Sequence, residues 1–273
     1  MSSVPWKVED KVVLVTGGAA GVGAALVREM VAQNARHVAF LDIAEREGGA
    51  LEAELTSKFG ALRAKFIRCD VASEAALTAA YKQVLDKYHR LDLVVNNAAV
   101  VSNDERDYRK MVDINFTATV SSTLKALVLM SGDGGGSGGS GGVVVNMSSL
   151  LALKPVPHLP VYSATKSAVL QFSNCIAASK PFSETQVRVL TVCLGPTDTA
   201  IIHRHNFTKD NHIETRVPER QRVSSAVAGI LDVISSAGSG TTWVIADNKP
   251  ARDVSRYVTD GFHVVSEATE GVA

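Results

Sequence analysis

Tyr162 and Lys166 stand four residues apart in Tyr162-Ser-Ala-Thr-Lys166, at the head of an apolar-periodic stretch. On a helix that spacing puts both side chains on one face, where a cation can stabilise a phenolate. An ordinary tyrosine titrates near pH ~10, and each pH unit by which a neighbouring charge lowers it reflects about 1.4 kcal/mol, so a lysine beside it makes a usable general base. Ser149 ends the run Val143-Val-Val-Asn-Met-Ser-Ser149, thirteen residues before Tyr162. A hydroxyl there can hold a substrate oxygen while the tyrosine exchanges its proton. Taken singly, these residues also have plainer readings: a tyrosine at a helix start packs, and a lysine in the first turns is solvated.

A second group reads as a phosphate cradle. The first apolar run leads straight into Thr16-Gly-Gly-Ala-Ala-Gly-Val-Gly23 and then a helical pattern. Gly17, Gly21 and Gly23, with Val22 between the last two, let the backbone turn tightly and approach a pyrophosphate. Free amides and the positive end of the helix stabilise that charge. The spacing G-x-x-x-G-x-G differs from the more general G-x-G-x-x-G. Asp42 closes the second apolar run 19 residues after Gly23, the offset of a carboxylate that binds ribose hydroxyls. The same carboxylate repels a 2′-phosphate. Neither Ala20, Ile43 nor Ala44 is basic, and Arg46 is flanked by Glu45 and Glu47, so the cofactor expected is NAD and not NADP.

Both groups need a scaffold, and the periodicity supplies one. Seven short apolar runs, Val12–Val15, Val38–Leu41, Phe66–Ile67 leading to Cys69, Leu91–Val95, Val143–Val145, Val187–Val192 and Trp243–Ala246, read as strands. Most are apolar throughout, as in a parallel sheet covered on both faces. Segments between them, such as Val22–Asn34 and Leu51–Phe59, carry helical spacing. The fold class expected is α/β: a doubly wound, seven-stranded parallel sheet with helices on both faces, one domain over residues 1–273, its ligand site at the strands' C-terminal ends. The tract Gly132–Gly142 reads as a mobile loop entering the fifth strand from the side opposite that site.

Thr16–Gly23, Asn96-Asn-Ala-Ala99, Asn115, Ser149 and Tyr162-Ser-Ala-Thr-Lys166, in this order and spacing, resemble the short-chain dehydrogenase/reductase family in its single-domain form. The resemblance covers nearly the whole chain. It implies that Tyr162 is the general acid/base, that Lys166 lowers its pKa and binds the nicotinamide ribose, that Ser149 orients the substrate oxygen, and that Asn115 holds a proton-relay water. It further implies that Asp70, followed by Val71, binds the adenine ring, and that Asn97 and Ala98 border the adenosine half, Asn97 also fixing neighbouring strands. After the sixth strand the chain reads Cys193-Leu-Gly-Pro-Thr-Asp-Thr199, with Leu194 where the family usually has proline. Thr197 and Thr199 still match threonines that bind the nicotinamide carboxamide and nearby phosphate. Ala98-Ala99 replaces the commoner Ala-Gly. Asp42, Asn146-Met-Ser-Ser, Pro160-Val-Tyr-Ser and Trp243-Val-Ile-Ala-Asp look most like the 15-hydroxyprostaglandin dehydrogenase and insect-type alcohol dehydrogenase branches. That implies an NAD-dependent exchange of hydride with a secondary alcohol or ketone, on a substrate such as a lipid, isoprenoid or steroid.

The stretch 200–222 follows the sixth strand and reads, by resemblance, as the substrate loop. His203, His205 and His212 lie in it, but H-x-H without cysteine or a fixed carboxylate is poor zinc-site evidence, so no metal is expected. His203, Arg204 or His205 could meet a polar substrate, while Leu159, with His158 just before Tyr162, is a nearer candidate for lining the pocket. The helices carrying Asn115 and Tyr162 have apolar faces (Met111, Ile114, Val120, Leu124, Leu127; Val169, Phe172, Ile176). These read as internal core on pattern alone and, by resemblance, as a two-fold interface giving a homodimer or homotetramer. With 28 basic and 28 acidic residues, no global field draws the chain to nucleic acid or an anionic membrane. No apolar run is long enough to span a bilayer, and Met1-Ser-Ser-Val-Pro-Trp-Lys has no signal pattern, so a cytoplasmic protein is expected. Cys69, Cys175 and Cys193 read as reduced and mostly buried. Two rival readings are a non-catalytic nucleotide-binding module, disfavoured by the intact Ser149, Tyr162 and Lys166, and a sugar-nucleotide epimerase, which needs a larger C-terminal region.

Overall fold

The computed structural model describes residues 5–131, 141–202 and 219–269. β1 (Val12–Thr16), α1 (Gly21–Ala32), β2 (His37–Asp42), α2 (Glu45–Phe59), β3 (Ala64–Arg68), α3 (Glu74–Tyr88) and β4 (Leu93–Asn96) alternate strand with helix. There follow α4 (Tyr108–Val112), a π-turn at Asp113–Thr117, α5 (Ala118–Met130), β5 (Gly142–Ser149), α6 (Pro160–Ser179), α7 (Phe182–Thr185) and β6 (Val187–Leu194). α8 (Val223–Ser236), β7 (Thr242–Ile245), β8 (Arg252–Asp253) and α9 (Ser255–Glu267) complete the order. α2 begins six residues before the apolar pattern does, because Gly48-Gly49 blurs its first turns; a Cβ at Gly48 would stand 2.3 Å from the Phe66 ring.

The strand order is β3-β2-β1-β4-β5-β6-β7-β8. β1 to β7 are mutually parallel, and the order reverses between β1 and β4, which makes the crevice above those two strands the switch point. The expected count of seven is corrected to eight. β8 runs antiparallel along β7, pairing Asp253 with Trp243 and Arg252 with Val244. A two-residue charged edge strand has no apolar run to announce it.

β1 is buried on both faces. Val13 and Val15 pack with Leu26, Val27 and Met30 of α1 and Ile230 of α8, while Val12 and Leu14 face Leu77 of α3 and Ala126 of α5. Each such side chain contributes about 1.5–3 kcal/mol on leaving water. Across the sheet's middle runs a buried polar seam: the Asn96 amide donates to Asn146 Oδ1 (2.8 Å), and the Asn146 amide donates to Ser173 of α6 (2.9 Å). Tyr81 and Ser122 extend it to α3 and α5. The seam fixes α6, which carries Tyr162 and Lys166, to the strands beneath it. Gly141 returns the chain to β5 at φ 81°, its amide donating to Met130 O (3.0 Å); residues 132–140 of the glycine tract lie outside those described. The eight residues of β5 separate that return from Ser149 by roughly 23 Å of strand. Among the described residues no helix is long and apolar enough to cross a membrane, and none of the His, Cys, Asp and Glu side chains cluster as metal ligands. Cys69 and Cys193 are buried and Cys175 is exposed, all three unpaired.

Candidate active site

The turn from β1 to α1 is built so that its glycines bring the backbone into close packing. Gly17 has φ +64°, and a Cβ there would stand 2.8 Å from Ala98 Cα; one at Gly23 would stand 2.1 Å from Gly17 O. Gly21, also at positive φ, faces Thr199: its Cβ would be 3.2 Å from the Thr199 methyl, so the turn after β6 touches the turn after β1. Val22 points into the core. α1 has neither a side-chain cap nor an acidic residue in its first turn, which leaves its leading amides and positive dipole end available to an anion. Thr16 organises the neighbouring wall. Its hydroxyl accepts from the amides of Asn97 and Ala98 (3.0 Å each), while the Asn97 side chain donates to Thr16 O and Gly17 O (3.0 Å each). Asn97 thus clamps β4 to β1.

Asp42 ends β2 with its carboxylate held by two amides, Ala19 N to Oδ2 (3.0 Å) and Ala44 N to Oδ1 (3.1 Å). Arg46 is turned away into an ion pair with Glu47 (2.8 Å). Asp70 lies exposed after β3, where its side chain accepts from Ala72 N (3.0 Å) and precedes the Ser73 cap of α3; Val71 behind it is buried. These residues fit an adenine dinucleotide: amides and glycines for phosphates, and an oriented carboxylate for a ribose diol, with the nearby Arg46 paired to Glu47.

Ser149 is the last residue of β5, and Pro160 at the first position of α6 sets the helix that brings Tyr162 over it. The Ser149 hydroxyl accepts from Leu151 N (3.2 Å) and is near enough to the Tyr162 phenol to favour its ionised form. Lys166 is 3% exposed, its Nζ donating to Met147 O (2.9 Å) and standing 5.8 Å from the centre of the Tyr162 ring. Burial dominates both groups. It pushes the Tyr162 phenol up to about 12, with only the Ser149 hydroxyl pulling the other way, and it lowers Lys166 to about 8. The net direction for Tyr162 is therefore upward, opposite to the lowering by Lys166 read from their spacing, because burial outweighs the other influences on the phenol.

Asn115 sits in the π-turn, a one-turn widening of a continuous helix that often marks functional positions. Its side chain is already occupied: Oδ1 accepts from Val100 N (2.8 Å), and Nδ2 donates to Val100 O (2.9 Å) and Thr165 Oγ1 (3.2 Å). Its main-chain oxygen accepts from Thr119 Oγ1 (3.1 Å). Leu159 is half-buried one residue before α6. The Thr197 hydroxyl donates to Gly195 O (2.9 Å), and Thr199 Oγ1 donates to Thr197 O (3.3 Å). His203, Arg204, His205 and His212 lie outside the described residues. Of the helix faces read as an interface, Met111, Leu127 and Val169 are buried within the chain, while Leu124 is 44% exposed. Thr16 and Val100 were not singled out by their own chemistry, since their roles are hydrogen bonds to Asn97, Ala98 and Asn115; Thr16 does at least open the glycine motif.

A family model described as short chain dehydrogenase matches residues 11–210. The chain is 34% identical over 82% of its length to 15-hydroxyprostaglandin dehydrogenase [NAD(+)] of Homo sapiens, 82% of which is covered. It is 36% identical to the Mus musculus protein of that name over 71% of this chain and 70% of that one. Among solved structures, levodione reductase superposes with a TM-score of 0.74 at 19% identity, covering 88% of this chain and 97% of that one. A short-chain type dehydrogenase/reductase from Mycobacterium ulcerans gives 0.72 at 23% identity, covering 88% and 89%. At those identities the structural likeness speaks for the fold.

Proposed function

The chain belongs to the short chain dehydrogenase family, and on that premise we propose that it is an NAD-dependent oxidoreductase acting on a secondary alcohol or the corresponding ketone. The observation that carries this is the meeting of Ser149, Tyr162 and buried Lys166 at the C-terminal end of β5, in a parallel sheet whose first strand ends in a tightly packed glycine turn. NAD, when bound, supplies the hydride acceptor, and its reduced form the donor. Gly17, Gly21, Val22 and Gly23 would hold its phosphates, Asp42 a ribose diol, Asp70 and Val71 the adenine, Asn97 and Ala98 the adenosine wall, and Thr197 and Thr199 the nicotinamide end.

The protein handles the proton. Ser149 binds the substrate oxygen, and Tyr162 takes the hydroxyl proton in oxidation or returns it in reduction. Lys166, held by Met147 O, sits close enough in a dry setting for its charge to favour the phenolate as it forms. Asn115 acts as a positioning residue whose side chain locks Val100 and Thr165 around that centre. Two relatives named for a hydroxylated prostaglandin support a lipid alcohol as substrate class, with Leu159 lining its apolar part. A homodimer or homotetramer through the helices carrying Asn115 and Tyr162, and a cytoplasmic setting, complete the reading.

The deciding experiment is Tyr162→Phe assayed for NADH formation on secondary alcohols graded from short aliphatic to isoprenoid, steroid and hydroxy-fatty-acid. Turnover should fall by about 10²–10⁴ while NADH binding is kept. Turnover near the wild-type rate overturns the mechanism.

A further inference from the structure

Gln221 is fully buried where the chain returns from the 200–220 segment to α8. Its main chain is stitched to the turn after β6: Gln221 N donates to Pro196 O (2.8 Å) and Asp198 N donates to Gln221 O (3.0 Å). Its side-chain amide faces three acceptors, Ile245 O (3.0 Å), Thr197 Oγ1 (3.1 Å) and Gly195 O (3.5 Å). The reverse orientation would set Oε1 against two carbonyl oxygens, so the surroundings fix which way the amide points. That leaves Oε1 buried with no hydrogen-bond partner among the described residues.

Stability does not account for this residue. A buried acceptor without a partner carries its desolvation cost. The groups that Nε2 serves are already engaged: Ile245 O accepts from Gly195 N (2.8 Å), and the Thr197 hydroxyl donates to Gly195 O (2.9 Å). A methionine of the same length would remove the orphaned oxygen and leave neither of those groups unpaired. What the amide does instead is tie the ends of β6 and β7 together around the Gly195–Thr199 turn. Thr199, at the far end of that turn, touches Gly21 of the phosphate cradle.

Resting on the NAD reading above, we infer that Gln221 is a positioning residue for the nicotinamide end of the cofactor. It holds Thr197 and Thr199 in their receiving geometry before the cofactor arrives, so little ordering cost remains on binding. A turn released from Gln221 must be ordered by the cofactor itself.

The test titrates NADH into wild-type, Gln221→Met and Gln221→Glu proteins by fluorescence and records their melting temperatures. Gln221→Met should bind NADH about five- to tenfold more weakly, the worth of roughly one hydrogen bond, with a melting temperature equal to or above wild type. Gln221→Glu should bind progressively less tightly as pH rises, since its protonated acid keeps one donor and its carboxylate none, whereas Gln221→Met shows no such trend. Wild-type affinity in Gln221→Met overturns the inference and leaves the NAD reading intact. Affinity and melting temperature falling together overturn it in favour of a purely structural residue. A wild-type protein that does not bind NADH overturns the NAD reading and the inference with it.

Discussion

Lys166→Met should make the protein more stable at neutral pH and inactive. Lys166 is 3% exposed, and burial lowers it from 10.5 to about 8, so at pH 7 the fold carries an ammonium it would rather not hold. That difference corresponds to roughly 3 kcal/mol. The variant gives up the bond from Nζ to Met147 O, worth about 1–2 kcal/mol. The net gain of about 1–2 kcal/mol should raise the melting temperature by roughly 3–6 °C in a chain of this size. The sign with pH is fixed by which state holds more protons. Between about 8 and 10.5 the unfolded lysine is still charged while the folded one is neutral, so wild-type stability climbs with pH across that window. The advantage of Lys166→Met must therefore shrink from pH 7 to pH 10. Tyr162 does not confuse the comparison, because its phenol, raised to about 12, lowers stability only above pH ~10 and is present in both proteins. Melting curves of the two proteins at half-unit steps from pH 7 to 10 are the assay. A variant that melts below wild type at pH 7, or a gap that stays constant to pH 10, refutes the assignment of burial as the dominant influence on Lys166.

Asp42→Ser should shift preference from NAD toward NADP by about tenfold or more in kcat/KM, since the charge facing a 2′-phosphate is removed; parallel kinetics with both cofactors check it, and an unchanged ratio counts against Asp42 as the discriminating group. Gly23→Ala places a Cβ 2.1 Å from Gly17 O and 2.6 Å from Asn97 Nδ2, so the turn must shift. NADH affinity should fall at least about tenfold and stability by about 1–3 kcal/mol, measured by titration and denaturant unfolding. Tyr81→Phe removes a fully buried hydroxyl bonded to Ser122 O (2.9 Å). It should cost about 1 kcal/mol of stability in denaturant unfolding while leaving the KM for NAD unchanged, because the seam sits beneath α6 and not in the cradle.

What was legible in the sequence follows from which interactions are local. The inner strands β1, β4 and β5 are buried on both faces and leave apolar runs, whereas β3 at the edge exposes Lys65 and Arg68 and leaves only Phe66-Ile67; the glycine turn is readable because three glycines and Asp42 answer geometric demands within one βαβ unit. β8 was not readable: Arg252 and Asp253 form a strand only because β7 offers an edge. Gln221 was equally silent, since its meaning lies in Thr197 and Ile245, each 24 residues away, and nothing in its neighbours' types points to them. The catalytic pair shows the limit most clearly. Four-residue spacing places Tyr162 and Lys166 on one helix face, and the structure keeps them within 5.8 Å. Spacing says nothing of the dielectric around them. That is set by α6 packing over β5 and β6, and it drives the two groups' proton affinities apart, the tyrosine up to about 12 and the lysine down to about 8. A lysine near 8 changes charge close to working pH, so its charge at any moment depends on what else enters the site. Lys166 is thus a cation whose charge a ligand of either sign can shift, and burial, not spacing, sets the state in which it meets that ligand.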